Sequence, residues 1–204
     1  MRRSPLQNRS APDGSLHAVA AHGGCMGNRG GRLHRADRSL GPARWRSRAW
    51  ICCRLAFRGR HREVMGDGYT EIFFLDEATA LAAGHRPCFE CRRDAARAFA
   101  AAWPRSEGTP PPRAPEMDRQ LHRERLGPRD RLPFAALPSL AIFAAGGGYW
   151  LKQGAGARPW SFAGYGPATP FAPDAPTEAV TPASIRAVLA AGYRPDLHAS
   201  ADAQ

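Results

Sequence analysis

YTEIFFLDEATALAAGHRPCFECRRD, residues 69–94, carries the strand, the helix and the cysteine pair from which the fold is read. Its first six residues mix aromatic and β-branched side chains, the composition of a half-buried strand. Asp76 then stands where a carboxylate can accept from the free N–H groups of a first helical turn, and Glu77 adds negative charge at the positive end of the dipole. The pattern predicts a short helix over 77–83, stopped by Gly84 and Pro87. A second helix, rich in Ala and Arg, is expected from about Cys91 to Trp103, ending at Pro104.

Cys88 and Cys91 lie between these helices as Cys-x-x-Cys, just after a proline and at the mouth of the second helix. Two thiolates there can face one ion, and free backbone N–H groups favour their charge. This is half of a tetrahedral site, and zinc is the expected ion. The upstream candidates for the other half are Cys53, Cys52, His34, Cys25 and His85; the preferred set is His34, Cys53, Cys88 and Cys91. Neighbouring side chains of a strand face opposite ways, so only one of Cys52 and Cys53 can face the metal, and Cys53 is preferred. Against this stand two plainer readings, buried free thiols and a thioredoxin-like redox pair. No βαβ pattern surrounds the motif to favour the latter.

Upstream, WRSRAWICCRLAF and YTEIFF read as strand, loop and strand, joined by RGRHREVMGDG, and predict a small antiparallel sheet. The same region holds the charge. The chain carries 28 arginines and one lysine, for a net charge of +11. Eleven of those arginines fall between Met26 and Gly66, against Asp37 and Glu63. That excess suits a polyanion, and Arg44, Arg46, Arg48, Arg58 and Arg60 are the candidate nucleic-acid contacts. The alternative is an ordinary solvated basic face. Residues 1–25 lack apolar periodicity and are expected to be a disordered tail, with Met26 as a possible true start of translation.

Downstream, PRSEGTPPPRAPE over 104–116 reads as a proline-rich spacer, so that 105–117 is the expected linker between a module at 26–104 and a second region at 118–204. MDRQLHRERL suggests a short helix. Asp118, His122 and Glu124 on it are read as a salt-bridged surface and not as catalytic groups. SLAIFAAGGGYWLKQGAGARPWSFAGYG suggests two or three strands with glycine turns, and a last helix is expected from Pro182 to Ala191. Trp150, Trp160, Phe162 and Tyr165 could stack on bases, but at strand spacing they are read as core. LAAGHRPC at 81–88 has an echo in LAAGYRPD at 189–196, taken as helix-terminating chemistry. The expected fold is α+β: a small zinc-stabilised β-hairpin/helix module followed by a small β-meander with a C-terminal helix.

The run of residues 69–94 resembles the zinc-binding module of Ada-type DNA alkylation-repair proteins. In that family a strand with two phenylalanines leads to a short helix and then to Ala-Ala-Gly-aromatic-Arg-Pro-Cys-x-x-Cys-Arg. Here the matching residues are Phe73, Phe74, Ala82, Ala83, Gly84, Arg86, Pro87, Cys88, Cys91 and Arg92, with His85 in the aromatic's place. The resemblance covers about 26 residues and implies a bound zinc ion on a fold that sits on nucleic acid. In the family a zinc-bound cysteinate takes a methyl group from a DNA phosphotriester. The first pair of zinc cysteines, four residues apart in the family, has one counterpart here: Cys53 is followed by Phe57, and Cys52 by Ala56.

No disulfide framework is expected of five cysteines without a secretory signal, and no stretch approaches the length of an apolar membrane span, so the expected setting is cytoplasmic. No carboxylate cluster of a nuclease, Ser-His-Asp order or phosphate-cradling glycine loop can be picked out. The functional expectation is therefore a zinc-binding protein that binds nucleic acid, DNA foremost. The alternative is an enzyme acting on DNA, by methyl transfer to Cys53 (Cys52 second) or by hydrolysis.

Overall fold

The computed structural model describes residues 4–60 and 63–202. Residues 1–3 of the expected tail and Arg62 of the basic stretch lie outside them. In chain order the elements are β1 (Arg9–Ser10), β2 (Leu16–His17), β3 (Cys25–Asn28), β4 (Ile51–Cys53), β5 (Ile72–Phe74), α1 (Glu77–Ala82), β6 (Arg86–Pro87), α2 (Arg93–Ala101) and α3 (Ala114–Leu126). There follow β7 (Arg131–Pro133), β8 (Ile142–Ala145), β9 (Gly148–Gln153), β10 (Gly156–Ser161), β11 (Gly164–Tyr165), β12 (Thr169–Pro170), β13 (Pro176–Ala179) and α4 (Ala183–Ala190). The fold is α+β.

The first six strands form one mixed sheet in the order β2-β1-β5-β3-β4-β6. The expected pairing of the 44–57 and 69–74 strands is corrected here. β3 lies between β4 and β5, antiparallel to both, with Met26 opposite both Cys53 and Phe73. Gly27 makes this possible: a Cβ there would come within 2.1 Å of the Ile51 carbonyl oxygen, so only glycine lets β3 lie this close to β4. The aromatic run before Ile51 is irregular, although Trp50 is buried.

The tail expectation is also corrected. Residues 9–10 and 16–17 are strands of the sheet: β1 runs parallel to β5, Phe73 N–H donates to the Asn8 carbonyl at 2.8 Å, and Asn8, Ser10 and Ala11 are buried. Strands of two residues show no periodicity, which is why composition alone misread them.

β7 to β13 form an antiparallel sheet in the order β11-β10-β9-β8-β13-β7, with β12 on β10. Gly146 and Gly147, both at positive φ, make the tight β8–β9 turn that matches the twist of an antiparallel pair. The helices fall close to their predicted places. Asp76 Oδ1 caps α1 through Thr79 N–H at 2.9 Å, and Gly84 follows at φ +78°. α3 begins at Ala114, inside the expected spacer, because Pro115 suits a first turn and the Glu116 carboxylate accepts from Arg113 N–H at 2.7 Å.

The two expected regions are not separate. One core packs Leu81, Phe99 and Trp103 from one side of residues 105–113 with Met117, Leu121, Ile185 and Val188 from the other. A second joins Leu75, Ala78 and Ala82 of the α1 region to Ile142, Leu151, Tyr165 and Val180. The proline-rich stretch is an exposed connection over a shared core, and its apolar flanks are what hold the halves together. No helix among the described residues is long and apolar enough to cross a membrane.

Candidate metal centre

The centre is assembled at the edge of the first sheet. β6 lies parallel to β4, and Cys88 N–H donates to the Cys52 carbonyl at 2.9 Å, which brings the Cys-x-x-Cys against the strand that carries Cys53. Strand alternation then decides between the adjacent cysteines: Cys52 is fully buried on one face, and Cys53 points to the other. The Cys53, Cys88 and Cys91 sulfurs lie within 4.8 Å of one another. Thiolates 2.3 Å from one tetrahedral ion stand about 3.8 Å apart, so a small closure of this triangle suffices to hold a metal. Three soft sulfur donors fit a thiophilic ion and suit magnesium or calcium poorly.

The thiols share protons in a way that anticipates such an ion. Cys88 is pulled down to about 5 by the hydrogen bond from Cys53 and by the N–H groups of Cys91 and Glu90; the Glu90 contact is 3.4 Å. Donating to Cys88 holds the Cys53 thiol above its ordinary range, and burial raises Cys91. A cavity of about 390 Å³ opens beside the triad, lined by Asn28, Phe57, Arg60, Tyr69 and Glu71 among others. Arg60 pairs with Glu90 at 2.8 Å on its rim.

His34 is not brought to the triad. Its Nδ1 meets Thr70 Oγ1 at 2.6 Å and its Nε2 meets the Gly66 carbonyl at 2.8 Å, so both ring nitrogens tie a loop down. The expectation of His34 as the fourth ligand is corrected: among the described residues three cysteines form the group. His85 is fully buried against Trp50 and Phe74, and burial pushes it well below the usual histidine range, so it is neutral. Cys25 and Cys52 face each other at 3.4 Å, and the Arg92 guanidinium donates to Cys52 at 3.3 Å.

The candidate arginines divide. Arg44, Arg46 and Arg48 are exposed on the irregular approach to β4, and Arg58 and Arg60 are exposed beyond it. Arg29, Arg86 and Arg92 are buried. Arg92 holds Glu77 at 2.6 Å and Asp196 at 2.7 Å. Asp118, expected on a surface, is buried against Arg86. The aromatic candidates serve packing: Tyr165 donates to Asp76 at 2.9 Å, and Trp160 to Thr79 at 3.0 Å. Compared with family models, with curated proteins and with solved structures, the chain matches none.

Proposed function

We propose that this chain is a zinc-binding protein that docks on nucleic acid, DNA foremost, through Arg44, Arg46, Arg48, Arg58 and Arg60. The observation that carries it is the sulfur triangle of Cys53, Cys88 and Cys91. Zinc is the borderline-soft divalent ion that such a donor set takes in a reducing setting. The exposed arginines lie before and after β4, the strand that supplies Cys53, so an ion held there fixes the surface that meets phosphates. Metal analysis tests the first half, and the salt dependence of binding to duplex DNA tests the second.

A second reading is favoured by one feature, the 390 Å³ cavity onto which the cysteines open. Structural zinc sites close their fourth position with protein, whereas catalytic ones leave it to a reacting group. A bound zinc ion would keep a thiol ionised at neutral pH. Methyl transfer would then form a bond from Cys53 sulfur to the methyl carbon and break the carbon–oxygen bond, leaving a phosphodiester anion. Incubation with methylphosphotriester DNA and mass spectrometry of the Cys53 peptide separates the readings. An unmodified peptide is the outcome the binding reading expects, and a singly methylated one makes this an enzyme.

A further inference from the structure

We infer a second site, a recessed pocket for a phosphate monoester, built around Trp50 and distinct from the cysteine triad. Arg29 and Arg125, far apart in sequence, each hold a guanidinium carbon 4.0 Å from the Trp50 ring centroid. Arg29 is 3% exposed, yet it forms no ion pair among the described residues. Its Nη2 donates to the Gly14 carbonyl at 2.7 Å, and its Nε is buried without a partner. Arg125 likewise spends its terminal nitrogens on carbonyls, those of Gly84 at 2.7 Å and Arg48 at 2.6 Å, and its Nε is buried without a partner.

A buried cation and a half-buried one sharing one ring, hydrogen-bonded only to neutral acceptors, are costly unless an anion completes them. Their surroundings agree. Burial and then the charges of Arg125 and Arg44 lower Arg29 to about 9 against a smaller opposing effect of Asp13, and burial brings Arg125 down to about 10 against the opposing charge of Asp118.

Both residues line one pocket of about 160 Å³, with Arg44, Arg129 and Arg186 also on its wall. Three carboxylates share the wall, and none forms an ion pair with Arg29, Arg44 or Arg125 among the described residues. Asp13 accepts from Ser15, Glu124 accepts from Ser184 N–H and Oγ–H, and Asp130 pairs with Arg186. Arg186 keeps a buried Nη1 without a partner, and Arg44 is exposed with no ion pair among the described residues. With Arg129 held by Glu178 and Arg186 by Asp130, the wall's cations without an ion pair among the described residues are Arg29, Arg44 and Arg125, a set that suits one tetrahedral oxyanion. A duplex phosphodiester rides on the outside of a helix and does not reach a guanidinium this deep. A terminal phosphate does, whether on a small phosphorylated molecule or on the end of a nucleic-acid strand. The strand-end source rests on the nucleic-acid reading; the pocket does not.

The test is thermal unfolding of the full chain with inorganic phosphate, against sodium chloride of equal ionic strength. The pocket predicts a saturable rise in Tm, about 5–10 °C at a hundredfold excess over Kd. The increment disappears in Arg125→Gln and falls at least several-fold in Arg44→Gln, an exposed position that leaves the fold intact. Arg29→Met keeps an apolar stem on Trp50, and it unfolds no earlier than wild type in chloride while losing the phosphate increment. A Tm that follows ionic strength alone, or an increment untouched in Arg44→Gln and Arg125→Gln, overturns the proposal. Competition by 5′-phosphorylated but not unphosphorylated oligonucleotides assigns the occupant to a strand end, and competition by phosphorylated small molecules alone assigns it to these. Duplex binding without a phosphate increment leaves the nucleic-acid reading standing and removes the pocket.

Discussion

Arg86 and Asp118 meet in a two-pronged ion pair, Nε to Oδ1 at 2.8 Å and Nη2 to Oδ2 at 2.9 Å, with 6% and 8% of their side chains exposed. Arg86 stands two residues before Cys88, so this pair ties the strand that presents the cysteines to α3. Breaking a buried pair leaves an uncompensated charge and costs about 3–5 kcal/mol. Asp118→Ala is expected to lose that much in urea unfolding, and Asp118→Asn less, since one hydrogen bond survives. A loss under 1 kcal/mol in Asp118→Ala would mean that the junction is not held by this pair.

How much of this was legible depended on the range of the forces. Local signals are legible: Asp76 and Gly84 bound α1 because caps and stops act within a turn. Strand alternation, which is also local, shows that one of Cys52 and Cys53 faces the metal; which of the two is set by the pairing of β4 with its neighbours. His34 is a ligand candidate by residue type alone, and nothing in its own neighbourhood announces Thr70 and Gly66, which are distant in sequence and occupy its ring. Asp118 was misread for the same reason, since helical spacing suggests a surface and only the tertiary partner Arg86 makes burial tolerable. The echo of LAAGHRPC in LAAGYRPD carried more than helix-stopping chemistry. Tyr193 and Asp196 of the second copy meet Glu77 and Arg92 beside the first, Tyr193 donating to Glu77 at 2.7 Å.

Because His34 is spent on Thr70 and Gly66, His34→Ala is expected to keep its full metal content while losing about 1–3 kcal/mol of stability through the lost bonds to the Thr70 hydroxyl and the Gly66 carbonyl. Metal analysis beside urea unfolding checks both. A His34→Ala protein that folds but holds no metal would return His34 to the ligand set.

Metal uptake should depend on pH with a definite sign. Protons compete for sulfur, and Cys53 and Cys91 hold theirs above the ordinary thiol range while Cys88 has lost its own by about pH 5. Binding at neutral pH therefore releases protons chiefly from Cys53 and Cys91, and affinity falls steadily as pH is lowered from 8 to 6. Calorimetry in buffers of different ionisation enthalpy measures the release. An affinity independent of pH over that range contradicts the assignment of those two thiols.

Neutralising Arg44, Arg46, Arg48, Arg58 and Arg60 together is expected to weaken binding to duplex DNA and flatten its salt dependence. Each phosphate contact removed lowers the log–log slope by about 0.9. These side chains are exposed, so the fold should be unaffected. An unchanged slope in the multiple mutant would put the contact surface elsewhere on the molecule.

X-ray absorption with metal quantitation on anaerobically purified protein decides whether Cys53, Cys88 and Cys91 hold one metal ion. The expected result is about one zinc per chain in a shell of three sulfurs at about 2.3 Å with one lighter neighbour, lost in Cys88→Ser and Cys91→Ser and kept in Cys25→Ser. A folded wild-type protein with metal content near zero, or zinc retained undiminished in Cys88→Ser, would contradict it.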